Sequence, residues 1–260
     1  MHQVAVIVPL YRPGPFLDRA LAAVARQRLP PAELVLVDDA SGDGSAEAAA
    51  RAIAGLAAAR LLALPENRGP AGARNAGAAL ATAPLLAFLD QDDEWHPDYL
   101  ARQAATLAAR PAAVLAHADL VVSDGRRRQT LGRDLPEDAD ALRRLFLLER
   151  NPLPTLSMVM VRRTAFQAAG GFDDSLRITH DRRLYLALAR LGPFARTPGL
   201  LAAKHQHASN LTRERGLESW REDSLRFVER ALADPANADL LPLAGEARRQ
   251  VDRRIRAAAG

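Results

Sequence analysis

Short apolar runs alternate with amphipathic stretches through the first ninety or so residues. Val4–Pro9 (VAVIVP) is apolar throughout, as expected of a strand buried on both faces. Phe16–Gln27 follows, with Leu17, Ala20, Leu21 and Val24 at helical spacing. Leu34–Val37 predicts a second strand, ended by Asp38 and Asp39. Ser45–Leu56 predicts an alanine-rich helix, with Ser45 or Asp43 available as its cap. Arg60–Leu64, Pro70–Thr82 and Pro84–Leu89 predict a strand, a helix and a strand. This alternation predicts an α/β fold: a mainly parallel central sheet flanked by helices, with ligands at the carboxyl ends of the strands. Three of those ends carry polar residues, Tyr11-Arg12, Asp38-Asp39 and Asp90-Gln91-Asp92-Asp93, which suggests one shared site.

The second half is less regular. Val114–Val122 and Thr155–Val161 read as strands; Asp138–Glu149, Thr164–Ala169 and His180–Leu191 read as helices. Stretches rich in glycine and arginine around Gly125 and Gly132 read as exposed loops. From Gly216 onward the pattern is two charged helices broken near Pro235. The expected organisation is residues 1–115 and 116–215 as two halves of one domain, with 216–260 as a helical tail.

Composition narrows the class. The chain has 260 residues, 48% hydrophobic and 25% charged, which excludes disordered and collagen-like proteins. No apolar run approaches the roughly 20 residues of a membrane span. Met1–Pro9 shows neither a basic leader nor a cleavage site, so a cytosolic location, or the cytosolic face of a membrane, is expected. With no cysteine, disulfides, thiolate zinc sites and cysteine nucleophiles are excluded. The net charge is +4, yet the isoelectric point is about 10.2. Lys204 is the only lysine, and little titrates between pH 7 and 10, so a small excess carries the isoelectric point far upward. A nucleic-acid partner is not expected.

The densest chemistry is Phe88–Trp95 (FLDQDDEW). Clustered carboxylates repel one another unless a cation sits among them, and oxygen donors of this kind suit Mg²⁺ or Mn²⁺ bridging to phosphates. An acidic turn capping a helix near Pro97 would need one aspartate rather than three. Val37–Ser45 (VDDASGDGS) offers carboxylates to a base or ribose, or simply an Asx-type turn. Asn67–Gly77 (NRGPAGARNAG) opens a helix, a favourable place for phosphate, and Arg74 adds charge.

Taken in order, these segments resemble the family 2 glycosyltransferases. Gly170–Asp174 (GGFDD) and His180–Gly192 (HDRRLYLALARLG) extend the likeness beyond the first hundred residues. The resemblance implies the GT-A (Rossmann-like) nucleotide-sugar-binding fold, a divalent metal, Mn²⁺ or Mg²⁺, and inverting transfer from a nucleotide-diphosphate sugar, usually of uracil or thymine, to a saccharide or lipid-linked acceptor. It implies residues 1–115 as the donor-binding half and 116–215 as the acceptor and catalytic half. Pro9 and Tyr11 would line the nucleoside pocket, Asp39 would hold the base and Asp38 would support it. Arg74 would lie near the diphosphate or support the acidic site. Asp90-Gln91-Asp92 would be the DxD metal motif, with Asp92 the direct ligand and Asp93 its alternative. Asp181 would be the catalytic base.

One departure stands out. The residue before the base is usually acidic in this family, and here it is His180. An imidazole beside Asp181 is expected to lower its pKa, and His180 is itself an alternative base. In His205–Thr212 (HQHASNLT), His207 fits the family's late histidine better than His205, as a contact for the diphosphate or metal. Arg248–Arg256 is either a solvated helix face or a peripheral membrane contact. Bacterial members often build surface polysaccharides or glycolipids, the expected pathway here. Two other functions are carried forward. One is a nucleotidyltransferase, although no lysine-bearing phosphate loop is present near the N-terminus. The other is a catalytically decayed sugar-nucleotide-binding protein.

Overall fold

The computed structural model describes residues 3–149, 151–207 and 216–259. The first half alternates as its apolar pattern predicts: β1 (Val4–Leu10), α1 (Phe16–Ala25), β2 (Glu33–Asp38), α2 (Ser45–Ala52), β3 (Ala59–Ala63), α3 (Gly69–Leu80) and β4 (Leu85–Phe88). There follow β5 (Glu94–Trp95), α4 (Tyr99–Ala109), β6 (Leu115–Ser123), β7 (Arg128–Leu131), α5 (Ala139–Leu148), a 3₁₀ turn (Leu156–Met158), β8 (Val159–Arg162), α6 (Arg163–Ala168), α7 (His180–Leu188) and β9 (Phe194–His205). The chain closes with α8 (Gly216–Ala233), a 3₁₀ segment (Pro235–Leu243) and α9 (Ala244–Ala259).

One mixed sheet runs through both halves in the order β3-β2-β1-β4-β8-β6-β9-β5, with β7 paired to β6. β3, β2, β1 and β4 are mutually parallel, whereas β8 enters antiparallel to both β4 and β6. β1, β2 and β4 are buried along nearly their whole length, which is why they read as continuous apolar runs. Gly77 lets α3 lie close on this layer. A Cβ there would meet Ile7 Cγ2 at 2.7 Å and Val37 Cγ2 at 3.0 Å.

Glu33 ties the start of β2 to the end of α3. Its carboxylate accepts hydrogen bonds from the Thr82 hydroxyl and from the backbone N–H groups of Thr82 and Ala83. Burial works to raise its pKa, but these donors and Arg60 outweigh that, and the net shift is downward. Glu33→Ala strands two amide donors and should cost about 1–3 kcal/mol in urea unfolding. Because the shift is downward, the carboxylate's contribution is present above the ordinary glutamate pKa and fades as the pH falls through its lowered folded value. An unchanged unfolding midpoint in Glu33→Ala would contradict this assignment.

Two local readings are revised, and one strand is added. Ser45 does not cap α2; Gly44 occupies the N-cap position at φ 86°, and Asp43, one residue earlier, accepts the N–H and hydroxyl of Ser45, the first residue of the helix. The strand expected over Thr155–Val161 begins only at Val159, because the Thr155 hydroxyl accepts the Ser157 N–H and winds the first residues into a 3₁₀ turn. β9 was not among the expected strands, and it contains Pro198-Gly199. In the structure that dipeptide lies in an irregularity of the β6–β9 ladder, with the Gly199 N–H donated to Asp119 and Arg196 forked onto the same carboxylate.

Candidate active site

A cleft of about 760 Å³ opens at the carboxyl ends of β1, β2 and β4. Pro9, Tyr11, Asp39, Arg74, Asp90, Asp92, Asp181 and His207 all line it. These residues come from positions as far apart as 9 and 207, brought together by the parallel layer and the return of β9.

The end of the cleft at β1 and β2 is built by turns. Asp38 is buried beneath the cleft and accepts the Ser41 hydroxyl and N–H, and the Ser41 hydroxyl oxygen accepts the Arg12 N–H. These bonds hold together two tight turns with Arg12 at φ 47° and Ala40 at φ 56°. Asp39 faces the cleft and accepts the Arg68 N–H at 2.7 Å. Burial raises its pKa, opposed by the Arg68 and Gly69 amides and by Arg177. Tyr11 and Gln91 exchange hydrogen bonds, the Tyr11 N–H donating to Oε1 and the Gln91 amide donating to the Tyr11 carbonyl. The two loops are thereby fixed to each other.

The acidic cluster separates into distinct roles. Asp90 accepts from Arg74 on one oxygen and from the Thr155 hydroxyl on the other, and its N–H donates to Ser157. Burial pushes its pKa up, but Arg74 and Lys204 overcome that and hold it low. Asp93 lies behind the cleft, almost wholly buried, 2.8 Å from the same Thr155 hydroxyl, whose single hydrogen it shares with Asp90. Its pKa is raised by burial and by Asp90 and Asp92. Asp90 and Asp92 both line the cleft, and the Asp92 carboxylate meets His207 Nε2 at 2.9 Å. The His207 ring stacks on Phe16 with centroids 4.3 Å apart, whereas His205 faces Glu94 at 3.6 Å. The Ala208–Thr212 part of the late segment lies outside the described residues. Among the described residues no three His, Asp or Glu side chains converge as a preformed metal-binding set.

The first turn of α7 supplies the remaining chemistry. Asp181 accepts Asn151 Nδ2 at 2.7 Å and the Arg182 N–H at 2.6 Å. Burial pushes its pKa up to about 6, against the opposing effects of Arg182, Arg74 and Lys204. The expectation that His180 lowers it is therefore not met. His180 turns away to Arg74, with Nε2 at 2.9 Å from the guanidinium, and packs edge-on against Phe172. Burial and Arg74 push the His180 pKa down to about 3, so the ring is neutral and accepts from Arg74. That lone pair is occupied, and His180 is not free to act as a base. Arg74 links the two, donating to Asp90, His180 and the Pro70 carbonyl.

Residues 5–170 match the family model described as glycosyl transferase family 2. The chain belongs to that family. Among curated relatives, it is 38% identical over 124 residues to the succinoglycan biosynthesis protein ExoO of Rhizobium meliloti, covering 47% of this chain and 35% of that protein. It is 28% identical over 201 residues to the amylovoran biosynthesis glycosyltransferase AmsE of Erwinia amylovora, covering 77% of this chain and 74% of that one. The alignments with the first three curated relatives span 35%, 66% and 41% of their lengths. Two solved structures share the fold. They are S. aureus TarS 1–349 in complex with UDP-GlcNAc (TM-score 0.68, 18% identity, 88% of this chain and 66% of that one) and the mannosyltransferase PcManGT from Pyrobaculum calidifontis in complex with GDP-Man and Mn²⁺ (TM-score 0.67, 20% identity, 99% and 75%). The fold is thus the GT-A arrangement of this family.

Several cleft residues of this family 2 chain were not singled out as site residues from the sequence. Lys204 and Arg177 both line the cleft. Arg177 lies over Gly69 at the start of α3, so close that a Cβ on Gly69 would collide with the guanidinium; Gly69 also sits at φ 74°, which favours glycine. Gln91, Thr155 and Asn151 each hold a site residue in place. Gln91 alone lay inside a quoted motif, at its middle position. Nothing in the local pattern of Asn151 or Thr155 marks either one.

Proposed function

We propose that this protein is a metal-dependent inverting glycosyltransferase. It would move a sugar from a nucleotide-diphosphate donor, of the UDP or dTDP type, to an acceptor hydroxyl during synthesis of a cell-surface polysaccharide or glycolipid. The observation that carries the reading is that one cleft joins three things: Asp39 at the β2 end, the Asp92–His207 pair on the open side, and Asp181 with its pKa raised to about 6. The relatives named for succinoglycan and amylovoran synthesis support the pathway, and the neighbours bound to UDP-GlcNAc and GDP-Man support the donor class.

The side chains divide the work as follows. Asp39, beside Pro9 and Tyr11, orients the base, and Asp38 keeps the turn that presents it. Arg74 holds Asp90 in place. Asp181, hydrogen-bonded by Asn151 but open to the cleft, takes the proton from the acceptor hydroxyl. The acceptor oxygen then attacks the anomeric carbon on the face opposite the leaving group. The bond from that carbon to the diphosphate oxygen breaks, and its electron pair stays with the departing nucleoside diphosphate.

The donor set suits a divalent ion. Asp92 and His207 offer one carboxylate and one imidazole on the open side, and such ions complete their shells with phosphate oxygens and water. Asp90 is already committed to Arg74 and Thr155, and Asp93 is buried behind. Asp92 and His207 would therefore hold the ion, Mn²⁺ or Mg²⁺, which when bound supplies positive charge to the diphosphate.

A thermal-melt panel tests the donor. UDP, dTDP or GDP, each with Mn²⁺, should raise the melting temperature in proportion to its affinity, because each binds only the folded state. If none of the three changes the melt, or if adenine nucleotides act alone, the assignment of the cleft to such donors fails. No helix among the described residues is long and apolar enough to cross a membrane. Peripheral attachment through Arg248–Arg256 remains a proposal of its own, tested by sedimentation with anionic vesicles.

A further inference from the structure

The sole lysine of the chain sits in the cleft. Lys204 lies near the end of β9, paired in register with Val122 of β6. The β6–β9 ladder inserts one extra residue of β9 between the Asp119–Leu200 and Leu120–Ala202 pairs. A single insertion inverts the alternation of a strand, and beyond it Lys204 falls on the cleft side. Its ammonium is attracted by Asp93, Asp90, Asp92 and Asp181, and this keeps it charged although burial opposes the charge. Yet its side chain has no hydrogen-bond or ion-pair partner among the described residues. The acceptors around it are engaged elsewhere: Asp90 by Arg74 and Thr155, Asp93 by Thr155, Asp92 by His207 and Asp181 by Asn151 and Arg182. An ammonium carries three donors, and on the wall of the cleft they are available to a bound ligand.

We propose that Lys204 is a phosphate-binding residue of the donor site, placing its ammonium against the diphosphate and staying with it as the nucleoside diphosphate departs. This rests on the donor reading above and adds a residue to it. The placement follows from charge. Lys204 is within electrostatic influence of both Asp92, at the diphosphate end, and Asp181, at the acceptor end. The diphosphate lies between those ends and gains a negative charge when the bond to the sugar breaks. The Arg74 guanidinium already donates to Asp90, His180 and the Pro70 carbonyl, which leaves it few donors for that charge. Lys204 thus gives the site a cation of its own, independent of any divalent ion.

Calorimetric titration of UDP, dTDP and GDP and of the matching nucleosides into wild type, Lys204→Met and Lys204→Arg tests this, with Mn²⁺ and separately with EDTA. Lys204→Met should weaken the preferred nucleoside diphosphate about tenfold or more in both media, as loss of a charge-assisted contact implies. Nucleoside affinity should be unchanged, and Lys204→Arg should recover part of the loss. Equal nucleoside diphosphate affinity in wild type and Lys204→Met overturns the proposal. So does a parallel loss of nucleoside affinity, which would mark Lys204 as structural. A wild-type protein that binds no nucleoside diphosphate overturns the donor reading as well, and is recognised without either variant.

Discussion

Asp181→Asn is expected to lower turnover by about 10²–10⁴-fold while leaving the protein folded, as removal of a general base does. The substitution keeps the shape of the side chain but replaces a basic carboxylate with a non-basic amide. The pH profile gives the sharper signature. Burial holds the Asp181 pKa at about 6, so the wild-type kcat/KM should rise as the pH climbs through that value and then level off. The residual activity of Asp181→Asn should lack this acid limb. The stability signs are fixed too. A carboxyl whose folded pKa is raised opposes folding only once ionised, so the penalty is absent below the ordinary aspartate range and complete above about pH 6. Asp181→Asn removes it and gives up one hydrogen-bond acceptor, so at pH 8 its melting temperature should lie close to that of wild type. Full turnover in a folded Asp181→Asn protein would exclude the residue as base.

Asp92→Ala should be comparably damaging for a different reason. Asp92 is the carboxylate of the acidic cluster that lines the cleft with His207 as partner. Its loss should reduce turnover on the order of 100-fold or more and abolish the gain in UDP affinity produced by Mn²⁺. Uridine affinity should persist, since Asp39 lies elsewhere in the cleft. The fold should persist as well, because the Asp92 side chain is partly exposed. A variant whose UDP affinity still responds to Mn²⁺ as in wild type would move the ion away from Asp92.

The two halves of the chain were unequally legible. β1, β2 and β4 could be read directly because strands buried on both faces leave unbroken apolar runs, and the carboxylates following them stand out by contrast. What those carboxylates do could not be read so directly. Asp38 and Asp39 are adjacent, yet one is turned inward to Ser41 and the other outward to the cleft. Asp92 and Asp93 divide in the same way, because successive positions point in different directions and only one can face the opening. His180 misled for a related reason. Adjacency to Asp181 suggested coupling, but the first turn of α7 sends the imidazole to Arg74 and leaves burial to set the Asp181 pKa. Lys204 was noticed only for its effect on the isoelectric point. Its approach to the acidic cluster depends on an inserted residue in β9 and on pairing with β6, a segment some eighty positions earlier, and no local pattern encodes that.

The central claim is that the cleft transfers a sugar and releases a nucleoside diphosphate. Its most direct test is to incubate the protein with Mn²⁺ and the sugar donor of whichever nucleotide it binds, with water or a simple glycoside as acceptor, and to identify the nucleotide product. The account predicts nucleoside diphosphate, released together with a sugar of inverted anomeric configuration and lost in Asp181→Asn. Pyrophosphate as the product would make the protein a nucleotidyltransferase. Intact donor at saturating occupancy, even with acceptors present, would make it a binding protein with a decayed site, and either result would contradict the account.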